Sequence, residues 1–223
     1  PAYPFSSLSL AAAIALSAVS GCAGVPAVGP LDPGLDKTVR PILALPENAA
    51  KALAPSNDRD WTVDLAVLSR AEFNGDLVTV RNIRNCTYLS ENEYVVDHYD
   101  KTYDLADLRT VDFVTVPFRG APALAHTMLS FGFDGGDYLS VSVEIRKEKG
   151  ESYSFFNGVM RQFEIIYVVG DERDLIKLRT NYRKDDVYLY RTLATPEQAR
   201  AMFADVFQRV NKLKDHPEFY HSF

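Results

Sequence analysis

The sequence predicts an α+β fold in which helices pack on an antiparallel sheet. Three observations lead there. Two hairpin signals, Asn74-Gly75 and Asp134-Gly135-Gly136-Asp137, each separate runs of strand character. Phe163 to Val169 is a continuous apolar run with β-branched residues, the mark of a buried strand. A capping box at Thr195 opens a strongly periodic helix.

Taken in order, Ala66-Val67-Leu68 and Leu77-Val78-Thr79-Val80 flank Asn74-Gly75, so residues 62–73 and 77–84 read as paired strands. Val111-Asp112-Phe113-Val114-Thr115-Val116 alternates and reads as a third strand. His126 to Phe133 runs into the glycine turn and returns as Tyr138 to Ile145, a second hairpin whose glycines supply positive φ. Val187 to Tyr190 is a short strand, and part of Asp171–Arg179 reads as helical. The clearest helix has Thr195 as N-cap, Pro196 at N1 and Gln198 at N3. Ala199, Met202, Phe203, Val206, Phe207, Val210 and Leu213 then follow core-facing spacing over about 18 residues.

Composition narrows the function classes. The chain has 223 residues, 47% hydrophobic, with 13 Phe and 12 Tyr, too apolar and aromatic for disorder. Two Cys exclude a disulfide scaffold and a Cys-rich zinc module. A net charge of −6 argues against a dedicated nucleic-acid binder. Eight of the 12 prolines precede Asn57, whereas aromatics become dense from Trp61 onward. Proline-rich, aromatic-poor sequence buries too little apolar surface to offset its ordering entropy. The folded domain is therefore expected over residues 57–223, after a linker over residues 23–56.

Residues 1–22 read as a leader. Leu8 to Val19 is apolar but shorter than the ~20 residues that cross a bilayer, as in a signal-peptide core. It ends in Val19-Ser20-Gly21-Cys22, the pattern of a bacterial lipobox, in which Cys22 would become the lipidated N-terminus. No basic stretch precedes the run, and the chain opens on Pro1, so the leader reads as incomplete at its start. The alternatives are a hydrophobic leader with a chance Cys, or the tail of a longer membrane helix. Either way the folded part is expected outside the cytoplasm.

Candidate chemistry is sparse. The sequence has no HExxH, phosphate loop or GxSxG elbow, and nothing in it points to a cofactor. His98-Tyr99-Asp100 with Asp104 reads either as a metal cluster or as a solvated polar loop, the commoner outcome. Arg173 to Arg179, with Arg183-Lys184, reads as a solvated basic helix face or as a surface for anionic headgroups. His126 opens an otherwise apolar strand, where a lone His is more often a satisfied core residue than a catalyst. The returning strand offers Ser140, Ser142 and Glu144. A three-residue bulged turn puts Glu144 across from His126. A loop of two or four residues puts Ile145 there and sends Glu144 to the other side. Glu144 equally reads as a plain ion-pair partner of Arg146 or Arg161.

Several stretches resemble the bacterial Lnb N-terminal periplasmic domain. They are Asn57-Asp58-Arg59-Asp60-Trp61, Val80-Arg81-Asn82-Ile83-Arg84-Asn85 and Tyr99-Asp100-Lys101-Thr102-Tyr103-Asp104-Leu105. The most specific block is His126 to Phe133 followed by Leu139 to Glu151, and Arg161 to Glu164 and Asp171 to Asp174 complete the match. The resemblance implies a papain or NlpC/P60-like thiol-enzyme architecture, with His ahead of Cys in the chain. It also implies lipoprotein N-acylation, in which a Cys takes an acyl chain from a phospholipid as a thioester and passes it to a lipoprotein amine. The family His maps onto His126, the expected general base, with Glu144 as a candidate for orienting it.

The family's nucleophile lies in an Asn-Cys-Thr-Thr segment just after a Pro-x-Phe-Tyr stretch. Here Pro217-Glu218-Phe219-Tyr220 is that stretch, and the sequence closes at Phe223. The architecture is thus expected to be incomplete at the C-terminus and inactive as it stands. Asn85-Cys86-Thr87 imitates the motif but precedes the His, so Cys86 reads as a small apolar residue. Three readings follow: acyl transfer between phospholipid and lipoprotein, a papain-like peptidase or amidase of the envelope, and a non-catalytic lipoprotein binding module. All three place the chain in the bacterial envelope, facing the periplasm, with a lipid anchor in the outer membrane, no nucleic-acid partner and no assigned oligomeric state.

Overall fold

The computed structural model describes residues 54–151 and 163–220. The Cys22 lipobox, most of the linker, Arg161-Gln162 and His221 lie outside the described residues.

The architecture is mixed α+β around one mostly antiparallel sheet of eight strands. Ten strands occur among the described residues: β1 (Arg70–Asn74), β2 (Leu77–Arg84), β3 (Thr87–Tyr88), β4 (Tyr94–Val95), β5 (His98–Asp104), β6 (Leu108–Phe118), β7 (Ala121–Phe133), β8 (Asp137–Arg146), β9 (Glu164–Gly170) and β10 (Tyr188–Arg191). Helix α1 (Glu172–Lys177) runs into a π turn (Leu178–Tyr182), and α2 (Pro196–Asp215) follows later. The main sheet has the order β1-β2-β9-β8-β7-β6-β10, with β5 also paired to β2, while β3 and β4 form a separate ribbon. The pairing of β2 with β9 at Arg84 and Gly170 is parallel.

Helix α2 covers one face. Thr195 accepts from the Gln198 amide and Gln198 reaches back to the Thr195 amide, so the predicted capping box forms. Its stripe of Ala199, Phe203, Val206, Phe207, Val210 and Leu213 is buried against Leu129, Phe131, Phe133, Leu139 and Val141. Phe203 stacks edge-on against Phe131 and Phe133 and packs on Phe207. The opposite face carries a smaller core of Leu65, Val114, Val116, Met128, Ile166 and Val168, covered by α1 through Leu175. Among the described residues no helix is long and apolar enough to cross a membrane.

Three expectations need correction. The first hairpin strand starts at Arg70 rather than residue 62. Residues before it form a strap held by Arg146, which donates to the Leu65 and Ala66 carbonyls and to Asn57 Oδ1 at 2.8–2.9 Å. Trp61 lies under that guanidinium, 4.2 Å from its centre, so an arginine rather than a neighbouring strand satisfies these carbonyls. His98 to Asp104 is strand β5, not a solvated loop, because β2 supplies a partner edge and Asn82 at φ 58° absorbs a bulge between them. Finally, the stretch from Arg173 to Lys184 is not a solvated basic face throughout, since Arg179 is buried.

Candidate active site

The turn joining β7 to β8 decides where the functional side chains meet. Asp134, Gly135 and Gly136 form the connection, and both glycines take left-handed φ of 80° and 81°. Phe133 then pairs with Asp137, and the ladder continues to Met128 opposite Ser142. Two residues further out in the same register, His126 stands across from Glu144. This is the three-residue alternative of the sequence analysis. The period of two places His126, Met128 and Ser130 on the same face as Ser140, Ser142 and Glu144. That is the face covered by α1 and the π turn.

Four side chains converge there. His126 Nε2 lies 2.7 Å from Ser142 Oγ and 3.3 Å from Glu144 Oε1. Ser142 Oγ donates to Glu144 Oε1 at 2.7 Å. Arg179 Nη2 donates to the same oxygen at 2.6 Å and lies 3.1 Å from His126 Nε2. Arg179 Nη1 is tied to the Leu175 carbonyl at 2.8 Å. Burial on its own would raise the Glu144 carboxyl. His126 when its ring is protonated, and the Arg179 charge, with bonds from His126 and Ser142, outweigh it and hold Glu144 well below its ordinary 4.5.

This inventory assigns the protons. An ionised Glu144 only accepts, so the single Ser142 proton goes to Glu144. The short contact between Ser142 Oγ and His126 Nε2 must then be donated by the imidazole. In the neutral ring that proton sits on Nε2, and Nδ1 keeps its lone pair. Nδ1 makes no hydrogen bond to any described residue. His126 and Glu144 retain 17% and 27% side-chain exposure, so a reactant can reach the ring. Ser142 is completely buried and already committed at both its donor and acceptor, which removes it as a nucleophile. The arrangement holds an oriented imidazole with one ring nitrogen unbonded by any described residue.

The same helical segment builds a second cluster. Arg84 donates Nε and Nη2 to the two Asp174 oxygens, both at 2.9 Å. The Cys86 amide and the Tyr88 hydroxyl complete the carboxylate at 2.9 and 2.8 Å. Cys86 packs with Tyr88 and Leu178, and burial, with Asp174 adding to it, pushes its thiol up to about 12. Such a thiol carries almost no thiolate near neutrality, in keeping with the apolar role expected from sequence.

The remaining candidates do not assemble. Asp100 pairs with Arg81 and accepts from the Asn82 amide. Among the described residues no group of three or more His, Cys, Asp and Glu side chains is arranged to hold a metal. His216 caps α2 through its backbone. Glu144 pairs with Arg179 and not with Arg146, whose guanidinium is spent on the strap. Arg179 itself escaped sequence reasoning, although a signal was present. Leu175, Leu178 and Arg179 fall on one face at i, i+3 and i+4, so phase marks Arg179 as inward-facing where composition marks a basic run.

The sequence model of the Lnb N-terminal periplasmic domain matches residues 95–223, more than half of the chain. The chain belongs to that family. The matched span contains His126, Ser142, Glu144 and Arg179, and leaves out Cys86 and the Asn57–Trp61 strap. Membership places this Lnb-family protein in the cell envelope, facing the periplasm. No curated protein and no solved structure matches the chain.

Proposed function

We propose that this Lnb-family chain provides the base of a Cys-His acyltransferase of the lipoprotein N-acylation type, built on a papain or NlpC/P60-like architecture. The observation that carries the reading is a partly exposed His126 with Nε2 engaged by Ser142 and Glu144 and Nδ1 left for a reactant. His126 Nδ1 takes the proton of a cysteine thiol, and the thiolate attacks the ester carbonyl of a phospholipid. The thioester forms, the ester C–O bond breaks, and the proton returns to the departing lysophospholipid oxygen. In the second half the lipoprotein amine attacks the thioester, His126 accepts its proton, and the thiolate leaves.

In this reading the thiol lies a few residues past Tyr220. Two features support a role for that segment. Phe219 bridges to Glu164 and the Tyr220 amide donates to the Phe163 carbonyl, so the chain leaves along the outer edge of β9. Strand β9 is two strands from β7, and this edge is therefore roughly 14 Å from His126 at ~4.8 Å per strand. Four or five extended residues at ~3.3 Å each span that gap. In this reading residues 1–22 are the leader with Cys22 lipidated, residues 23–56 the tether, and residues 57–223 the catalytic domain.

An acyl donor is favoured over a peptide by the approach to the base. Leu124, on the same face two residues out along β7, is 49% exposed, and Phe118 at the hairpin tip is also exposed. The test is a lipoprotein acylation assay on the full gene product in membranes. Replacing His126 by Gln is expected to lower N-acylation on the order of 10²–10⁴-fold. Unchanged acylation would remove the proposal. Loss of a peptidase activity instead would support the amidase reading.

A further inference from the structure

The contact that nothing in the family match assigns is Arg179. Its guanidinium is 5% exposed, far from the solvated position that a basic run suggests. It is carried on a π turn, where one extra residue per turn shifts the register of the side chains. Such turns are frequent at functional sites. The helix leading into the turn is fixed by Asp174 in the sealed Arg84 cluster, and the end of the turn by the Tyr182 hydroxyl, which donates to the Tyr88 carbonyl at 2.7 Å. Arg179 thus reaches Glu144 from a rigid support, and its second arm is committed to the Leu175 carbonyl.

We infer that Arg179 is the positioning residue of this site, clamping the Glu144 carboxylate beside Ser142 so that the imidazole proton stays on Nε2 and Nδ1 is the basic nitrogen. The logic is one of competing acceptors. Glu144 Oε1 receives both Ser142 and Arg179. Without Arg179 the partly exposed carboxylate is free to turn toward water. The Ser142 proton would then turn to Nε2, and the ring proton would move to Nδ1. A histidine protonated on Nδ1 offers no base toward the open side. Arg179 touches no reactant, so it acts through Glu144 and Ser142. What the freed Nδ1 is for rests on the acyl-transfer reading; the tautomer itself does not.

The test is nitrogen-15 NMR on the full chain labelled at histidine, with the His126 signals assigned by their loss in His126→Gln. Expected in the native chain near neutral pH is a protonated Nε2 and an unprotonated Nδ1. Arg179→Gln is expected to produce a mixed or Nδ1-protonated ring while the amide spectrum stays folded, and Arg179→Lys to restore the Nε2-protonated form. A native ring protonated on Nδ1 would overturn the inference, since Arg179 would then be donating to Nε2. So would a folded Arg179→Gln chain with the native tautomer. If Arg179→Gln does not fold, Glu144→Ala decides: without the clamped carboxylate the ring should turn to Nδ1–H, and a folded chain that keeps the native tautomer overturns the role. A native tautomer with no acyl transfer would reject the functional reading and leave the positioning role standing. Intact acyl transfer with the wrong tautomer would do the reverse.

Discussion

Two carboxylates sit at the same helical segment, Asp174 on it and Glu144 facing it, with opposite fates. Asp174 has 0% exposure and four donors on its two oxygens: Arg84 Nε and Nη2, the Cys86 amide and the Tyr88 hydroxyl. Its hydrogen-bonding capacity is full and no water reaches it. Glu144 also faces a buried arginine, but it keeps 27% exposure and its partner His126 has a nitrogen to spare. Both clusters contain an arginine, a carboxylate and a hydroxyl. The difference is closure. A complete, dry network holds strands and helix together, whereas an incomplete one at the surface has capacity left for a reactant.

The largest effect should come from opening the closed cluster. Asp174→Ala leaves Arg84 buried without a counter-charge, which costs about 3–5 kcal/mol by the usual penalty for breaking a buried pair. Chemical denaturation should show that loss as a lower midpoint with a similar slope. A change below 1 kcal/mol would mean that Arg84 finds water, and the two clusters would then not differ in closure. Glu144→Gln should cost less, about 1–2 kcal/mol, because solvent reaches that site and an amide oxygen still accepts. A larger loss than for Asp174→Ala would invert the comparison.

Acid sharpens it further. Glu144 is held well below its ordinary 4.5, so it contributes stability above that value and loses it as pH falls through the folded value. The stability difference between the native chain and Glu144→Gln should therefore be largest near neutrality and shrink as pH is lowered below 4.5. A difference that stays flat down to the acid transition would show that the carboxylate is not held in its ionised form.

Much of this contrast was readable in the residues. The glycine turn at Gly135-Gly136 narrowed the partner of His126 to two choices, and only the turn conformation settled it in favour of Glu144. The capping box at Thr195 and the stripe on α2 followed from local periodicity, the information that sequence carries best. The buried arginines did not. Arg84, Arg146 and Arg179 each answer a partner more than 30 residues away, and no local pattern announces such pairs. The strap over Arg146 imitated a strand for the same reason, because its carbonyls are met by a side chain from β8. Strand β5 was hidden by its polar surface, since Arg81 and Asp100 pair across its edge where a hydrophobic alternation would otherwise mark it.

The smallest effect should fall on the residue that most resembles a nucleophile. Cys86 has the Asn-Cys-Thr context of the family motif, yet it belongs to the closed cluster through its backbone amide rather than its thiol. The amide survives any side-chain change. Cys86→Ala therefore removes one buried sulfur and should cost about 1 kcal/mol, with the Asp174 network intact. Burial and the neighbouring Asp174 push the thiol up to about 12, so the folded chain should resist a thiol-specific reagent at pH 8 and react at once in denaturant. Acyl transfer by the full gene product should be unchanged in Cys86→Ala. Rapid labelling in the folded state, or loss of transfer on substitution, would move Cys86 from the closed cluster to the reactive one and undo the distinction between them.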